Sequence, residues 1–211
     1  MSENYIKMIA RDKIYPILRG KDPDKIVEVS KALVDGGIRV LEINVEHPEI
    51  YSAIREVSKF AHVGAGGIIT SMQADAAFEC GAEIFSSPIF QMSLIKISKN
   101  KRVPFIAGAT TANEAYSAWK SRIPLIKLFP TEAMGGVQYI SDILRQMPFL
   151  KLMPMGNIKL NEVVNYIKSG AVAVGVGRDF YQGFQPVEIT RRTKEILREL
   201  RGLRGWTQNQ K

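Results

Sequence analysis

The sequence contains few residues that bind metals or form disulfides, and it has no long apolar run. The single cysteine, Cys80, excludes an intramolecular disulfide and a multi-cysteine metal site, and we expect it on the buried face of a helix. The two histidines, His47 and His62, have no ligand cluster near them, so neither a metal nor another cofactor is expected. No run approaches the roughly 20 apolar residues that cross a bilayer. Because residues 1–13 also lack the apolar block of a secretory signal, a cytoplasmic protein without a membrane partner is predicted.

The remaining composition is typical of a globular protein. Of the 211 residues, 45% are hydrophobic and 24% are charged, so residues 1–211 are predicted to form one domain with a loose tail at 206–211. The net charge is +8, which is compatible with an anionic partner. Much of the basic excess lies in a C-terminal stretch with helical spacing of acidic and apolar residues. A solvated helix face is favoured there over a nucleic-acid surface, because aromatic residues are not interleaved with the basic ones. The basic residues are Arg191, Arg192, Lys194, Arg198, Arg201, Arg204 and Lys211.

Short apolar runs alternate with amphipathic segments along the chain. The first such segment is predicted to be a helix that begins at Asp22 as N-cap, has Pro23 in its first turn and ends at Gly36 and Gly37. The runs are apolar at both odd and even positions, as expected of parallel strands that are covered on both faces. Eight strands are predicted, at 13–19, 38–44, 61–66, 82–87, 103–108, 123–129, 150–156 and 171–177.

Eight such units in about 200 residues indicate an α/β protein with a compact (β/α)8 TIM barrel. A doubly wound parallel sheet is the alternative, although it seldom needs eight regular units. In a barrel, the chemistry takes place where the strands end and the following loops begin. Polar residues or glycines recur at these points once in every unit, which predicts a single functional rim.

Lys127 is the most informative residue, because it is a lone charge in the apolar sixth strand. Burial penalises an ammonium group, and a neutral amine can attack a ketone and form an imine. Glu42 is a lone charge in the second strand and would face Lys127 across a small barrel, where a carboxyl could relay protons. The alternative for both residues is an ion pair without chemistry, which would keep the lysine charged.

Two further features of the predicted rim suit an anionic ligand. Arg19 ends the first strand, and its guanidinium can hold a carboxylate or phosphate; a surface arginine without a ligand is the alternative. Glycines follow strands seven and eight at Gly156 and Gly177. Backbone amides at these positions form the usual phosphate seat of a barrel.

Between about Ile14 and Gln185 the sequence resembles the 2-keto-3-deoxy-6-phosphogluconate and 4-hydroxy-2-oxoglutarate aldolase family, including its phosphogalactonate branch. The matching segments include ILRG at 17–20, GGIRVLEI at 36–43, VGAG at 63–66, the T-x-x-E stretch at 111–114, IKLFPTEAMGG at 126–136, PMGNI at 154–158 and AVGVG at 173–177. The resemblance implies a metal-free class I aldolase, usually a homotrimer, that makes or breaks a bond next to pyruvate.

The resemblance also implies roles for individual residues. Lys127 matches the imine-forming lysine, and Glu42 matches the general acid and base. The residues that match substrate-binding positions are Arg19, Gly67, Phe129, Met155, Gly156, Asn157, Gly177 and Arg178.

This sequence departs from the family pattern at the predicted rim. Gly67 stands in place of a threonine, since GAGT becomes GAGG. Met155 replaces a second threonine and Asn157 a glycine, since PTGG becomes PMGN. Glu46 replaces an arginine of some relatives, and Arg178 replaces a serine. Loss of the threonine hydroxyls removes hydrogen bonds worth on the order of 1 kcal/mol each.

Three hypotheses follow for the function. The first is a Schiff-base aldolase that acts on a small 2-keto acid. The second is a descendant without catalytic activity that binds phosphorylated sugar acids as a sensor. The third, nucleic-acid binding by the C-terminal helix, is disfavoured by the missing aromatic residues.

Overall fold

The predicted eight-stranded barrel is confirmed. The computed structural model describes residues 3–203, so Arg204, Lys211 and the predicted loose tail lie outside the described residues. The strands are β1 (Ile14–Leu18), β2 (Val40–Asn44), β3 (His62–Gly66), β4 (Ile84–Ser86), β5 (Phe105–Ala109), β6 (Leu125–Leu128), β7 (Leu152–Pro154) and β8 (Val174–Val176). The α-helices in this part of the chain are α1 (Glu3–Asp12), α2 (Pro23–Asp35), α3 (Tyr51–Val57), α4 (Ser71–Glu79), α5 (Met92–Lys101), α6 (Ala112–Lys120), α7 (Gly136–Gln146), α8 (Val163–Lys168) and α9 (Pro186–Gly202).

All strand pairs are parallel: β1 to β7 pair consecutively, and β8 pairs with β1. The gap between β7 and β8 is closed by a parallel bridge between Met155 and Gly175 and by a 2.9 Å hydrogen bond from the Val172 amide to the Leu152 carbonyl. This closure excludes the doubly wound sheet, which has two open edges. In a ring of eight strands, β2 and β6 are four strands apart and therefore lie opposite each other.

Local signals fix where several helices begin. Asp22 caps α2 by accepting hydrogen bonds from the amides of Asp24 and Lys25, and α2 ends at Gly36 as predicted. The T-x-x-E stretch is a capping box at the start of α6, in which Thr111 and Glu114 satisfy each other's amides. Backbone hydrogen bonds from Thr111 and Thr110 lower the pKa of Glu114. This motif therefore has a structural role in the chain.

Helix α1 has no counterpart among the predicted elements, which began at residue 13. Its buried Ile6 and Ile9 pack in one cluster with strand residues such as Tyr15, Val40 and Leu125. The helix thus covers the amino-terminal end of the barrel interior. Among the described residues, no helix is long and apolar enough to span a bilayer.

The remaining differences are small. Strands β4, β7 and β8 have three residues each, fewer than their apolar runs predict. Cys80 lies at the end of α4 and is only partly buried. The terminal helix α9 buries Ile189, Ile196, Leu197 and Leu200, as expected of an amphipathic helix with a solvated basic face.

Candidate functional site

Lys127 and Glu42 meet inside the barrel. Alternate residues of a strand face the same side, so Glu42 of β2 and Lys127 of β6 project into the interior from opposite strands. Both residues are almost completely buried. The Lys127 Nζ atom lies 3.5 Å from Glu42 Oε1 and 3.5 Å from Ser86 Oγ. The structure thus brings together the two residues that the sequence predicts as the chemical pair.

Glycines on β3 make room for this pair. A Cβ atom at Gly66 would lie 2.0 Å from Glu42 Oε1, and one at Gly64 would lie 2.0 Å from the Tyr15 hydroxyl. Both distances are far below van der Waals contact. The G-A-G segment therefore leaves the space that the Glu42 carboxyl and the Tyr15 ring occupy.

Burial dominates the electrostatics of the amine. It lowers the pKa of Lys127, because the interior penalises the ammonium form more than the neutral amine. The Glu42 carboxylate raises this pKa in part, and the Arg19 guanidinium lowers it further. The net direction is downward, which favours a nucleophilic amine over a permanently charged ion pair.

The polar atoms around the pair are incompletely hydrogen-bonded. Glu42 Oε2 and the Tyr15 hydroxyl are buried and have no hydrogen-bond partner among the described residues. Burial raises the pKa of Tyr15 well above its usual value, and the Glu42 carboxylate adds to this effect. Tyr15 therefore remains a neutral phenol below Glu42.

A cavity of about 390 Å³ opens at the carboxyl end of the strands. It is lined by seven of the predicted substrate-binding residues, namely Arg19, Phe129, Met155, Gly156, Asn157, Gly177 and Arg178. Lys127, Glu42 and Gly67 do not line it. Phe129 lies between the cavity and the Lys127–Glu42 pair. It lines the cavity, and its ring centroid is 5.8 Å from Lys127 Nζ.

The loop after β7 has an unusual backbone conformation. Gly156 has φ +109° and Asn157 has φ +56°, both in the left-handed region. Asparagine tolerates this region better than other residues with a side chain, which explains how it can replace the family's glycine. Met155 is buried beside Gly175, where a Cβ atom would lie 2.5 Å from the Met155 terminal methyl group. The side chain of Met155 therefore fills space inside the barrel.

Arg19 and Glu46 form an ion pair at the cavity mouth. Arg19 Nη1 lies 2.7 Å from Glu46 Oε1, and the Arg19 amide donates to the Tyr181 hydroxyl at 3.0 Å. The Arg19 side chain remains 30% exposed in this ion pair. Arg19 can therefore still present donors to an anionic ligand.

Two polar residues of the interior were not among the predicted site residues. Ser86 contacts Lys127, and Asn44 lies two positions beyond Glu42 on β2. The period of two along a strand would have placed Asn44 on the same face as Glu42. Ser86 and Ser87 both lie at the end of the fourth predicted strand, 82–87, and no pattern distinguished one from the other. Within residues 3–203, no group of three or more His, Cys, Asp or Glu side chains is placed to bind a metal ion.

Comparisons with known proteins identify the family of this chain. The model of the KDPG and KHG aldolase family matches residues 6–197. The chain is 30% identical over 162 residues to 2-dehydro-3-deoxy-phosphogluconate aldolase of Treponema pallidum, covering 75% of this chain and 77% of that protein. It is 27% identical over 179 residues to 2-dehydro-3-deoxy-6-phosphogalactonate aldolase of Escherichia coli, covering 82% and 87%.

A solved structure shares the fold over nearly the whole chain. The crystal structure of 2-keto-3-deoxy-6-phosphogluconate aldolase from Zymomonas mobilis superimposes with a TM-score of 0.83 at 25% identity, covering 91% of this chain and 95% of that one. Since the family model spans most of the chain, this protein belongs to the KDPG and KHG aldolase family.

Proposed function

We propose that this protein is a class I aldolase that cleaves a 2-keto-3-deoxy sugar acid or 4-hydroxy-2-oxoglutarate reversibly to pyruvate and an aldehyde. The observation that carries the proposal is the buried Lys127 amine, whose pKa is lowered and which lies 3.5 Å from a buried carboxyl group. Membership of an aldolase family supports the reaction class.

The Lys127 amine attacks the C2 carbonyl of the substrate and forms a carbinolamine. Glu42 holds the proton that Lys127 gives up on becoming a neutral amine, and it donates this proton to the departing hydroxyl, so that water leaves and an iminium ion remains. Glu42, now a carboxylate, accepts the proton of the C4 hydroxyl, directly or through water, as the C3–C4 bond breaks. The electron pair of that bond moves into the iminium, giving an enamine and a free aldehyde. Protonation of the enamine at C3 and hydrolysis release pyruvate and restore the amine.

The cavity supplies the groups that would bind the rest of the substrate. Arg19 holds a carboxylate, and Phe129 forms a wall beside the imine. The backbone amides of Gly156, Asn157, Gly177 and Arg178 hold a terminal phosphate. The basic side chains of Arg178 and Lys159 line the same cavity and support a phosphorylated substrate, as do the names of the relatives in T. pallidum and E. coli.

Reductive trapping tests the mechanism. Incubation with pyruvate and borohydride should add one reduced pyruvyl group to Lys127, detected by peptide mass spectrometry. The variant Lys127→Met should form no adduct, whereas the matched Lys159→Met variant should retain it at Lys127. Absence of an adduct on the unmodified protein at saturating pyruvate would refute the mechanism.

The same experiment separates aldolase activity from the binding of a sugar acid without catalysis. A sensor would be stabilised against thermal unfolding by sugar-acid phosphates and would form no adduct. An aldolase should release pyruvate from at least one member of a panel of 2-keto-3-deoxy acids, assayed with and without the phosphate. The panel also identifies the substrate.

We further propose that the protein is a homotrimer. Four large apolar side chains are exposed on neighbouring segments that follow β3 and β4, namely Ile69, Met72, Ile89 and Met92. Exposed apolar side chains of this kind are typical of an interface, and the number of three subunits comes from the resemblance to the family. Sedimentation velocity should give a trimer that is weakened by Met72→Glu and not by Val187→Glu, an equally exposed position on α9. A monomer at micromolar concentration would overturn the proposal.

A further inference from the structure

Asn44 is a buried polar residue of the barrel interior whose amide oxygen has no hydrogen-bond partner among the described residues. It ends β2, two residues beyond Glu42 on the same inward face, which places its Cα about 7 Å nearer the carboxyl end of the barrel. Its side chain is buried, with 3% of the residue exposed. It therefore lies between the Lys127–Glu42 pair and the rim through which a ligand must enter.

The amide oxygen of Asn44 has no donor. Oδ1 is buried and accepts no hydrogen bond from any residue in the described part of the chain. Leaving a buried polar atom unsatisfied normally costs a protein about 1–3 kcal/mol. Buried polar atoms of this kind are usually satisfied, so an exception above a reactive amine points to a group that arrives with the ligand.

Gly67 determines the space that the amide occupies. It follows β3 with φ +72°, and a Cβ atom there would lie 2.5 Å from Asn44 Oδ1 and 3.0 Å from Nδ2. Even the smallest side chain at position 67 would therefore displace the amide. The position of the Asn44 amide therefore depends on Gly67, because only a residue without a side chain at 67 leaves room for it.

We propose that Asn44 binds a hydroxyl group of the reacting 2-keto acid and so contributes to substrate specificity. An amide oxygen lacking a donor is completed by a hydroxyl and not by a carboxylate, which only accepts hydrogen bonds. Two hydroxyls have this chemistry in the proposed reaction, that of the carbinolamine at C2 and that of the substrate at C4. This inference rests on the proposed function, since both hydroxyls belong to a keto acid bound at Lys127.

Borohydride trapping with three keto acids distinguishes these sources. Pyruvate and 2-oxoglutarate can offer only the carbinolamine hydroxyl, whereas 4-hydroxy-2-oxoglutarate also offers the C4 hydroxyl. Because the carbinolamine hydroxyl leaves before borohydride reduces the iminium ion, the quantity compared is the rate of adduct formation at limiting keto acid. Asn44→Ala should lower this rate by about 3- to 10-fold, as expected for the loss of one neutral hydrogen bond. An equal fall for all three acids assigns the carbinolamine hydroxyl, and a fall for 4-hydroxy-2-oxoglutarate alone assigns the C4 hydroxyl.

A second variant perturbs the amide without removing it. Gly67→Ala should lower the rate of adduct formation in the same pattern, because its Cβ displaces the Asn44 side chain. In the Asn44→Ala background the same substitution should have no further effect on that pattern. Asn113→Ala, an exposed asparagine on α6, is the matched control and should behave as the unmodified protein.

The outcomes separate this inference from the proposed function. If the unmodified protein forms the Lys127 adduct and Asn44→Ala traps all three acids at unchanged rates, only the role of Asn44 is overturned. If the unmodified protein forms no adduct with any of the acids, the aldolase mechanism and the role of Asn44 both fail. Circular dichroism of each variant shows whether a loss of trapping follows from unfolding.

Discussion

Replacing Gly66 with alanine should displace the Glu42 carboxyl group while leaving its chemistry intact. Gly66 pairs in register with Asn44 on β2, and its backbone has no positive φ that would exclude alanine. The added Cβ would lie 2.0 Å from Oε1, 2.4 Å from Cδ and 2.6 Å from Cγ of Glu42. The carboxyl group must shift by about 1.4 Å for Oε1 to move from 2.0 Å to the 3.4 Å of ordinary contact.

The size of this shift determines the expected loss of activity and of stability. A displacement of about 1 Å in a reacting group can reduce the rate about 100-fold, so pyruvate release by Gly66→Ala should fall by at least this factor. Overpacking of a buried site costs about 1–3 kcal/mol, so the free energy of unfolding should fall by that amount while the fold is retained. Adding Glu42→Asp to the same variant shortens the acid and relieves the clash, so the double variant should recover part of the lost stability.

Steady-state pyruvate release and thermal unfolding test this reasoning. Gly202→Ala is the matched control, since a Cβ atom there meets no atom within 4 Å. A Gly66→Ala protein that is folded and releases pyruvate at the unmodified rate would show that Glu42 does not act from its position beside Lys127.

Three further substitutions test other contacts. Tyr15→Phe removes a buried hydroxyl without a described partner, so unfolding free energy should rise by up to about 1–3 kcal/mol; a fall in stability would reveal a missed partner. The Tyr5 hydroxyl donates a hydrogen bond to Glu83 at 2.6 Å, and this bond raises the pKa of Tyr5 to about 12. Because the folded-state pKa is raised, the contact stabilises the fold below pH 10, and this stabilisation is lost as the pH rises toward 12. The stability deficit of Tyr5→Phe, about 1 kcal/mol for one hydrogen bond, should therefore shrink between pH 10 and 12, and a deficit independent of pH would contradict the assignment. Asn157 has a left-handed φ of +56°, so Asn157→Ala should lower the free energy of unfolding by about 1–2 kcal/mol, whereas Asn157→Gly should not lower it. Equal denaturant midpoints for the two variants would refute this expectation.

The periodicity of the sequence predicted most of the fold. Strands covered on both faces have apolar residues at both odd and even positions, interrupted by single polar residues such as Ser86, and even the three-residue β4, β7 and β8 are buried at every position. Helix α1 was missed because no strand precedes it, so it lies outside the repeating unit. Its apolar Ile6 and Ile9 are three residues apart and could have predicted one buried helical face.

The sequence predicted the site residues whose positions follow from the order of the strands and the alternation of side chains along them. Lys127 and Glu42 meet because β2 and β6 lie opposite each other and both residues have inward parity. The ion pair between Arg19 and Glu46 depends on the loop after β2, whose conformation no periodic pattern specifies. Asn44 was not predicted, because its role is inferred from an amide oxygen that has no hydrogen-bond partner in the folded chain. A sequence does not show which polar atoms lack partners.

The contact between Lys127 and Glu42 decides between an inert ion pair and a reactive amine. Charge-assisted hydrogen bonds between an ammonium and a carboxylate are usually about 2.7–2.9 Å long, whereas this ion pair spans 3.5 Å and Glu42 Oε2 has no described partner. Burial outweighs the attraction of Glu42, so the net pKa of Lys127 falls. The carboxyl group is nevertheless close enough to exchange a proton with a group bound to the amine. A shorter contact would strengthen the pair and raise the pKa of Lys127, so the separation of 3.5 Å supports the proposed role of a neutral Lys127 amine.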